Sequence, residues 1–387
     1  MTSDVNPPRV TLATIAREWT RLGCVGFGGP PAHIALLRHL CVDQHHYLDA
    51  AEFEDAIAAT SLLPGPASTQ LAIYCAWRLR GVRGALVGGL GFILPGLALI
   101  IALAALFLAH DPPLWVLGAA AGAGALVPSV ALRASTQLIP SSWRRAGEAR
   151  DARVRWILYA VLGAVSAAVI GAYVVVALLA CGAAELVVRS DRGAKRTHAF
   201  VPALAAPVLG LGGLAALAWV ALKVGALSYG GGFVIIPLMQ HDVVTTYHWM
   251  SGGQFLNAVA LGQVTPGPVV LTIAVVGYAV GGVGGALLAA LVAFGPSFLM
   301  IMFAGPRFEQ IRSSHRATSF LAGAGPCVLG AIAGSAIPLA LSLTRGWQVA
   351  VLAGGLVWLF LLRRGVVLGL VLAGLVGVVI VAAGATA

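Results

Sequence analysis

Long runs of uncharged, apolar residues recur along this chain, and they leave few folds open to it. The run from Gly84 to Ala109 contains no Asp, Glu, Lys or Arg, and it exceeds the ~20 residues that a helix needs to cross the hydrocarbon layer. Only 10% of the 387 residues are charged, against roughly 25% in soluble domains. The sequence therefore predicts an all-α polytopic integral membrane protein.

Most of the charge lies in short segments between the apolar runs. A net charge of +10 would favour nucleic-acid binding in a soluble chain, but basic residues in short loops are typical of the cytoplasmic face of a membrane protein. We therefore expect a lipid bilayer, and no nucleic acid, as a partner. The start of the chain lacks a basic segment, a short apolar core and a cleavage site in that order, so no cleaved signal peptide is predicted.

The chain aligns with itself at a shift of 202 residues, which pairs residues 22–66 with residues 224–268 without a gap. In this alignment "GCVGFGGPPAHIALL" pairs with "GALSYGGGFVIIPLM". The match predicts two homologous transporter repeats, residues 1–195 and residues 196–387. Longer membrane spans are predicted near 84–109, 114–138, 154–171 and 172–188, and again near 285–304, 318–343, 346–362 and 365–384.

The charges of the loops indicate that the two repeats are inverted relative to each other. "RLRGVR" (Arg78 to Arg83) is basic and its equivalent "GGVGG" is uncharged, whereas "HDPP" has no Lys or Arg and its equivalent, residues 306–316, has three arginines. The positive-inside rule then gives opposite orientations, with a periplasmic C-terminus. Inverted repeats with broken or re-entrant helices place the substrate of secondary transporters at the repeat interface near the midplane. The side of the N-terminus stays open.

Gly-Gly and Pro-Gly-Pro elements interrupt both repeats. A helix that restarts at Pro30 or Pro31 would tolerate proline in its first turn, and further helices are expected from Ala67 and from Val269 onward. The first turn of a helix carries unpaired N–H groups and the positive end of the helix dipole. Up to four such helix starts would suit a tetrahedral oxyanion, and we expect no metal ion and no cofactor.

Several side chains near these breaks have two interpretations each. Arg21 aligns with Lys223, and this pair of cations would either bind the anion or extend to a membrane interface. His33 is replaced by Ile235 in the second repeat, and it would serve either a substrate or proton role or simply pack as a hydrogen-bonded residue. A further set would either donate to the anion or cap and repair the backbone: Thr69, Gln70, Gln263, Thr265 and Thr272.

Acidic residues and potential metal ligands give weaker indications of proton coupling and of metal binding. Glu52 and Asp55 align with Gln254 and Asn257, so they are candidates for proton coupling, with a solvated surface as the alternative. "DQHHY" (Asp43 to Tyr47) has few well-spaced ligands, and a metal site there is disfavoured. The five cysteines are expected to be small buried hydrophobes.

These arguments define one candidate substrate-binding set. It comprises Arg21, Phe27, Gly28, Gly29, Pro30, His33, Pro64, Gly65, Pro66, Thr69, Gln70, Lys223, Tyr229, Gly230, Gly231, Gln263, Pro266, Gly267 and Pro268.

The same motifs resemble the long, two-domain members of the chromate ion transporter family. The resemblance rests on "GFGGPPAHIALL", "LLPGPASTQLAIYCAWRLRGVRGALVGGLGFILPG", "SYGGGFVIIPLM" and "TPGPVVLTIAVVGY", and it covers both repeats in order. It implies transport of chromate across the bacterial inner membrane, often as export that confers chromate resistance, with a likeness to sulfate handling. Ser61 departs from the pattern, because many relatives have glutamine there.

Other functions stay open at this point. A transporter for sulfate or another small anion, or a passive channel, would share most of these features. An intramembrane enzyme is disfavoured, because the sequence has no nucleophile–base constellation, metal-ligand set or nucleotide-binding loop. A homodimer is left open.

Overall fold

A computed structural model describes residues 10–61, 63, 65–170, 174–189, 213–228, 235–304 and 314–384. These residues form α-helices, short π-helical and 3-10 turns, and no strand. Five of the described helices are long and apolar enough to cross a membrane: Ala67–Phe107, Leu114–Ala146, Arg150–Val169, Val269–Phe303 and Thr318–Leu341. The predicted all-α, multi-span class is confirmed.

The first half of the chain contributes seven of the described helices. They are α1 (Leu12–Val25), α2 (Pro30–Arg38), α3 (Ala50–Thr60), α4 (Ala67–Phe107), α5 (Leu114–Ala146), α6 (Arg150–Val165) and α7 (Val174–Arg189). Short π-helical segments extend two of them, His39–Gln44 after α2 and Ser166–Ile170 after α6.

The second half contributes another seven among the residues described. They are α8 (Gly213–Leu227), α9 (Ile235–Gln240), α10 (Gly252–Val264), α11 (Thr272–Ala304), α12 (His315–Leu341), α13 (Gly346–Leu356) and α14 (Val366–Ala382). The π-helical segments recur here as His241–Thr246 after α9 and Val357–Leu361 after α13. The order of elements in the first half is thus repeated in the second.

Helices α4 and α11 are each bent sharply into two arms. Gly81 (φ 57°) and Gly282 (φ 59°) adopt left-handed backbone angles at the bends, a conformation that costs glycine little because it has no Cβ. The predicted spans 84–109 and 285–304 are the second arms alone. The predicted helix starts at Ala67 and Val269 are confirmed, with a 3-10 turn at Val269–Leu271 leading into α11. The first arm of α4 is about 20 Å long at 1.5 Å per residue, which is too short to cross a bilayer, so hydropathy alone does not mark it as a span.

The two halves interlock. Helices α6 and α7 of the first half pack mainly against α12 of the second, while α13 and α14 of the second half pack against α5 of the first. The bent helices α4 and α11 also pack against each other. One hydrophobic core therefore runs through both halves. The predicted repeat boundary at residues 195–196 lies outside the described residues, and the division into domains stays a prediction.

Glycine residues let these interlocked helices approach closely. A methyl group on Gly118 of α5 would lie 2.7 Å from the carbonyl oxygen of Gly377 of α14, and one on Gly330 of α12 would collide with the carbonyl oxygen of Ala160 of α6. Small residues at such contacts are typical of membrane helices, which associate through close van der Waals packing.

We expect Gly330→Ala to destabilise the protein by about 1–3 kcal/mol, because the added methyl group must separate α6 from α12. Gly354→Ala is the matched control, since no heavy atom of another described residue lies within 4 Å of its Cβ position. The check is the temperature at which each detergent-solubilised variant loses its monodisperse chromatographic peak. Equal temperatures for the two variants would contradict the packing described here.

Candidate functional site

The first Gly-Gly element separates two helices, as the sequence predicts. Helix α1 ends at Val25 and α2 begins at Pro30. Between them Gly28 and Gly29 have φ angles of 100° and 76°, which residues with a Cβ rarely adopt. The predicted restart of the helix at Pro30 is confirmed.

The carbonyl oxygen of Gly26, at the end of α1, joins this break to the second Pro-Gly-Pro element. It accepts a hydrogen bond from the backbone N–H of Gly267 at 2.9 Å. It also lies 2.9 Å from Nε2 of His33, and because a carbonyl can only accept, Nε2 carries a proton. We call the region around this carbonyl the junction: residues 26–33, 65–70 and 263–268.

His33 is fully enclosed in the junction, with 1% of its surface exposed. Its Nδ1 lies 3.2 Å from the Ser68 hydroxyl, which donates to it when the imidazole is neutral. The ring of Phe92 packs edge-on against the imidazole at 5.1 Å. His33 thus links α2, the end of α1 and the start of α4, and this geometry favours the structural interpretation of the residue.

Each Pro-Gly-Pro element contacts the bent helix of the other half. A methyl group on Gly96 of α4 would collide with the carbonyl oxygen of Pro266. In the first Pro-Gly-Pro element, a methyl group on Gly65 would lie 3.1 Å from Oγ of Ser297 in α11 of the second half. Gly65 and Gly267 have φ angles of 122° and 101°, so both turns depend on glycine.

Three buried polar atoms at or beside the junction have no hydrogen-bond partner among the described residues. They are Oγ1 of Thr69, Nε2 of Gln263 and Oγ of Ser297. Buried polar groups in folded proteins nearly always have a partner. These atoms are therefore candidates for contact with a ligand. The side-chain amide of Gln70 already donates to the sulfur of Met300, at 4.0 Å.

The remaining threonines of the predicted set donate hydrogen bonds to backbone carbonyls. Thr265 donates through Oγ1 to the carbonyl of Leu261 at 3.0 Å, and Thr272 donates to the carbonyl of Val269 at 2.8 Å. These bonds fit the backbone-repair alternative for both residues.

The aligned cations Arg21 and Lys223 have different surroundings. Lys223 is buried and forms an ion pair of 2.5 Å with Asp242, which is also buried. Arg21 lies on an exposed face of α1. The ammonium charge of Lys223 is thus already balanced by a carboxylate. Comparison of the halves did not identify Asp242 as the partner of Lys223, because its counterpart in the first half is Leu40.

The predicted proton-coupling residues lie at the protein surface. Glu52 forms an ion pair with Arg78, and its side chain is 27% exposed. Asp55 is exposed. Their role in proton coupling stays a prediction, and their positions fit the solvated-surface alternative.

Not every predicted site residue can be placed. Pro64, Tyr229, Gly230 and Gly231 lie outside the described residues. Phe27 is 42% exposed at the break. The structure brings together a subset of the predicted residues: Gly28, Gly29, Pro30, His33, Gly65, Pro66, Thr69, Gln70, Gln263, Pro266, Gly267 and Pro268.

A multi-span helical protein whose interrupted helices from two repeated halves meet at one polar junction has the architecture of a membrane transporter. The profile of the family described as chromate transporter matches residues 13–186 and 215–378. The chain therefore belongs to the chromate transporter family, and the resemblance found in the sequence motifs is confirmed.

Individual relatives agree with this assignment. A chromate transport protein of Cupriavidus metallidurans is 31% identical, over 86% of this chain and 84% of its own length. A chromate transport protein of Pseudomonas aeruginosa is 30% identical, over 97% of this chain and 94% of its own. A probable chromate transport protein of Synechococcus elongatus is 28% identical, over 86% of this chain and 85% of its own length. No solved structure matches the chain significantly.

We expect His33→Ile alone to cost about 1–3 kcal/mol, because it leaves the buried Ser68 hydroxyl without a partner. The double variant His33→Ile/Ser68→Val copies Ile235 and Val270, the equivalent pair of the second half, and should regain part of that loss. Thermal unfolding in detergent checks the difference. A double variant no more stable than the single one would contradict the coupling of these two side chains.

Asp242→Asn should destabilise the protein by about 3–5 kcal/mol, since it leaves the Lys223 charge buried and unbalanced. Replacing both residues, as Lys223→Met/Asp242→Leu, removes both charges and should restore most of the stability. The measurement is again thermal unfolding of the solubilised protein. If Asp242→Asn unfolds at the wild-type temperature, the buried ion pair has no structural role.

Proposed function

We propose that this protein is a secondary transporter that carries chromate, a tetrahedral oxyanion, out of the cytoplasm and thereby confers chromate resistance. Membership of the chromate transporter family and the names of the relatives support the substrate. The observation that carries the proposal is the junction itself. There the restart of α2 lies beside buried polar atoms that have no partner among the described residues.

The chemistry of the junction suits an anion. The first turn of a helix binds anions through its unpaired N–H groups and the positive end of its dipole. Pro30 and Pro31 have no N–H, so the backbone donors available at the start of α2 are the amides of Gly28, Gly29 and Ala32. Thr69 and Gln263 can add side-chain donors, which lets the protein hold a dianion without the cost of burying several uncompensated cations.

The proposal includes an orientation and a compartment. Because basic loops alternate in opposite phase in the two halves, we place the halves in inverted orientation in the inner membrane, with the C-terminus in the periplasm. Inverted halves that meet at a central site are typical of transporters that expose that site to one side at a time. The described junction draws on both halves of one chain, so the proposal does not require a homodimer or an enzymatic activity.

Gly29→Val should abolish chromate flux while leaving the protein in the membrane. No other described residue has a heavy atom within 4 Å of the Cβ position of Gly29, but its φ of 76° disfavours a β-branched residue, so the restart of α2 must shift. Gly147→Val is the matched control, because Gly147 also has a positive φ (93°) and open space, at the end of α5. Uptake of labelled chromate into inside-out proteoliposomes measures the rate of chromate flux for each variant.

The same proteoliposomes separate the competing functions. Uphill chromate movement driven by an imposed pH or voltage gradient supports a secondary transporter, whereas flux that only dissipates the chromate gradient would indicate a channel. Labelled sulfate, tested in parallel, would reveal a transporter for the related oxyanion. Wild-type flux by Gly29→Val would remove the first break from the transport site.

A further inference from the structure

A cleft of about 360 Å³ opens beside the first break, on the side of α5 and of the turn between α13 and α14. We call it the arginine cleft. The residues that matter in its wall are Gly28, Pro30, Arg133, Gln137, Gln263 and Arg364. It therefore contains three members of the predicted binding set and three polar residues outside that set.

Arg133 is the only charged residue between Leu114 and Trp143 of α5. Its side chain is half-buried, and its guanidinium lies 5.9 Å from the centre of the Phe360 ring. A charged residue within an otherwise uncharged membrane helix is a functional candidate by default. Its position is about 28 Å along α5 from Leu114, at 1.5 Å per residue, which is close to the full hydrocarbon thickness.

Arg364 reaches the same cleft from the turn between α13 and α14. The backbone N–H of Arg364 donates to the carbonyl of Trp358 at 3.1 Å, which holds the turn in place. No carboxylate of the described residues lies within 4.0 Å of the Arg133 or Arg364 guanidinium. Among the described residues, no Asp or Glu lines the cleft. Two arginines that share a cleft without an acidic partner favour binding of an anion.

Gln263 supplies an independent observation. Gln263 lines the cleft although only 8% of the residue is exposed, and its buried Nε2 has no hydrogen-bond partner among the described residues. An amide N–H₂ that is buried and unpaired costs free energy unless an acceptor reaches it. Rotation of the amide toward the cleft would bring Nε2 to an oxyanion, which would provide that acceptor.

We propose that the arginine cleft is an entry site, where the oxyanion is bound by Arg133, Arg364 and Gln263 before it passes to the junction. This inference rests on the proposed transport function. Guanidinium groups bind tetrahedral oxyanions through paired N–H donors. A water molecule occupies about 30 Å³, so the cleft has room for an oxyanion with part of its hydration shell.

The position of the cleft fits loading from the cytoplasm. Arg363 and Arg364 form a basic turn, and α5 ends in Arg144 and Arg145 beyond the cleft. Both basic segments belong on the cytoplasmic side under the positive-inside rule. An exporter loads from that side, and the wall residues Gly28 and Pro30 connect the cleft directly to the break.

The test compares Arg133→Gln, Arg364→Gln and the double variant with Arg363→Gln, which removes one charge from the same turn but does not line the cleft. Dissociation constants for chromate and sulfate are measured on detergent-solubilised protein, and KM is measured from the cytoplasmic side of proteoliposomes. We expect the double variant to raise both quantities at least about tenfold, since hydrogen bonds to charged groups are the stronger ones. Arg363→Gln should match the wild type.

The outcomes distinguish failure of the entry-site proposal from failure of the transport proposal. Wild-type chromate flux with unchanged KM and affinity in the double variant overturns the entry site alone, whereas wild-type protein that neither binds nor moves chromate overturns the transport proposal. Arg133→Lys keeps the charge, and partial recovery of affinity supports an anion site if Arg133→Gln folds poorly. If the loss appears only in vesicles with phosphatidylglycerol and not in pure phosphatidylcholine, the arginines hold a lipid phosphate and the entry site is overturned.

Discussion

The junction depends on one backbone carbonyl, that of Gly26. A helix that is interrupted inside a membrane must satisfy its freed backbone groups within the protein, because hydrocarbon offers no hydrogen-bond partners. Gly26 meets this requirement by accepting from Gly267 of the other half and from the His33 ring. The two hydrogen bonds to the Gly26 carbonyl form together only when the two halves are in place, and these bonds bring the restart of α2 next to the second Pro-Gly-Pro turn.

The two halves share the order of their described helices but differ in their buried polar side chains. The His33–Ser68 pair of the first half has an apolar counterpart in the second, Ile235 and Val270. Conversely, the buried Lys223–Asp242 pair has no equivalent ion pair, since Leu40 stands where Asp242 would be. The order of the helices is therefore repeated in the two halves, while their buried polar side chains are not.

The membrane class, the first Gly-Gly break, the helix starts at Ala67 and Val269 and most of the spans were predictable from the sequence, because glycine, proline and uncharged runs act locally. Hydropathy alone recognises only segments long enough to cross a bilayer, so the first arm of α4 was not among the predicted spans. Asp242 was not predicted, because comparison of the halves highlights residues that recur and this one does not. Arg133 was visible in the sequence as a single charge within α5. Which helices would pack together had no local signal, because it depends on contacts between residues far apart in the chain.

The interlocked packing has a consequence for how the protein assembles. Helix α5 lies against α14 through contacts that leave no room for a side chain at Gly118 or Gly122. During synthesis α5 enters the membrane well before α14 exists, so this glycine-lined face first meets lipid or the insertion machinery. Helices α6 and α7 are likewise inserted before α12, the helix against which they pack. These faces of the first half therefore lack their partner helices until the second half is inserted.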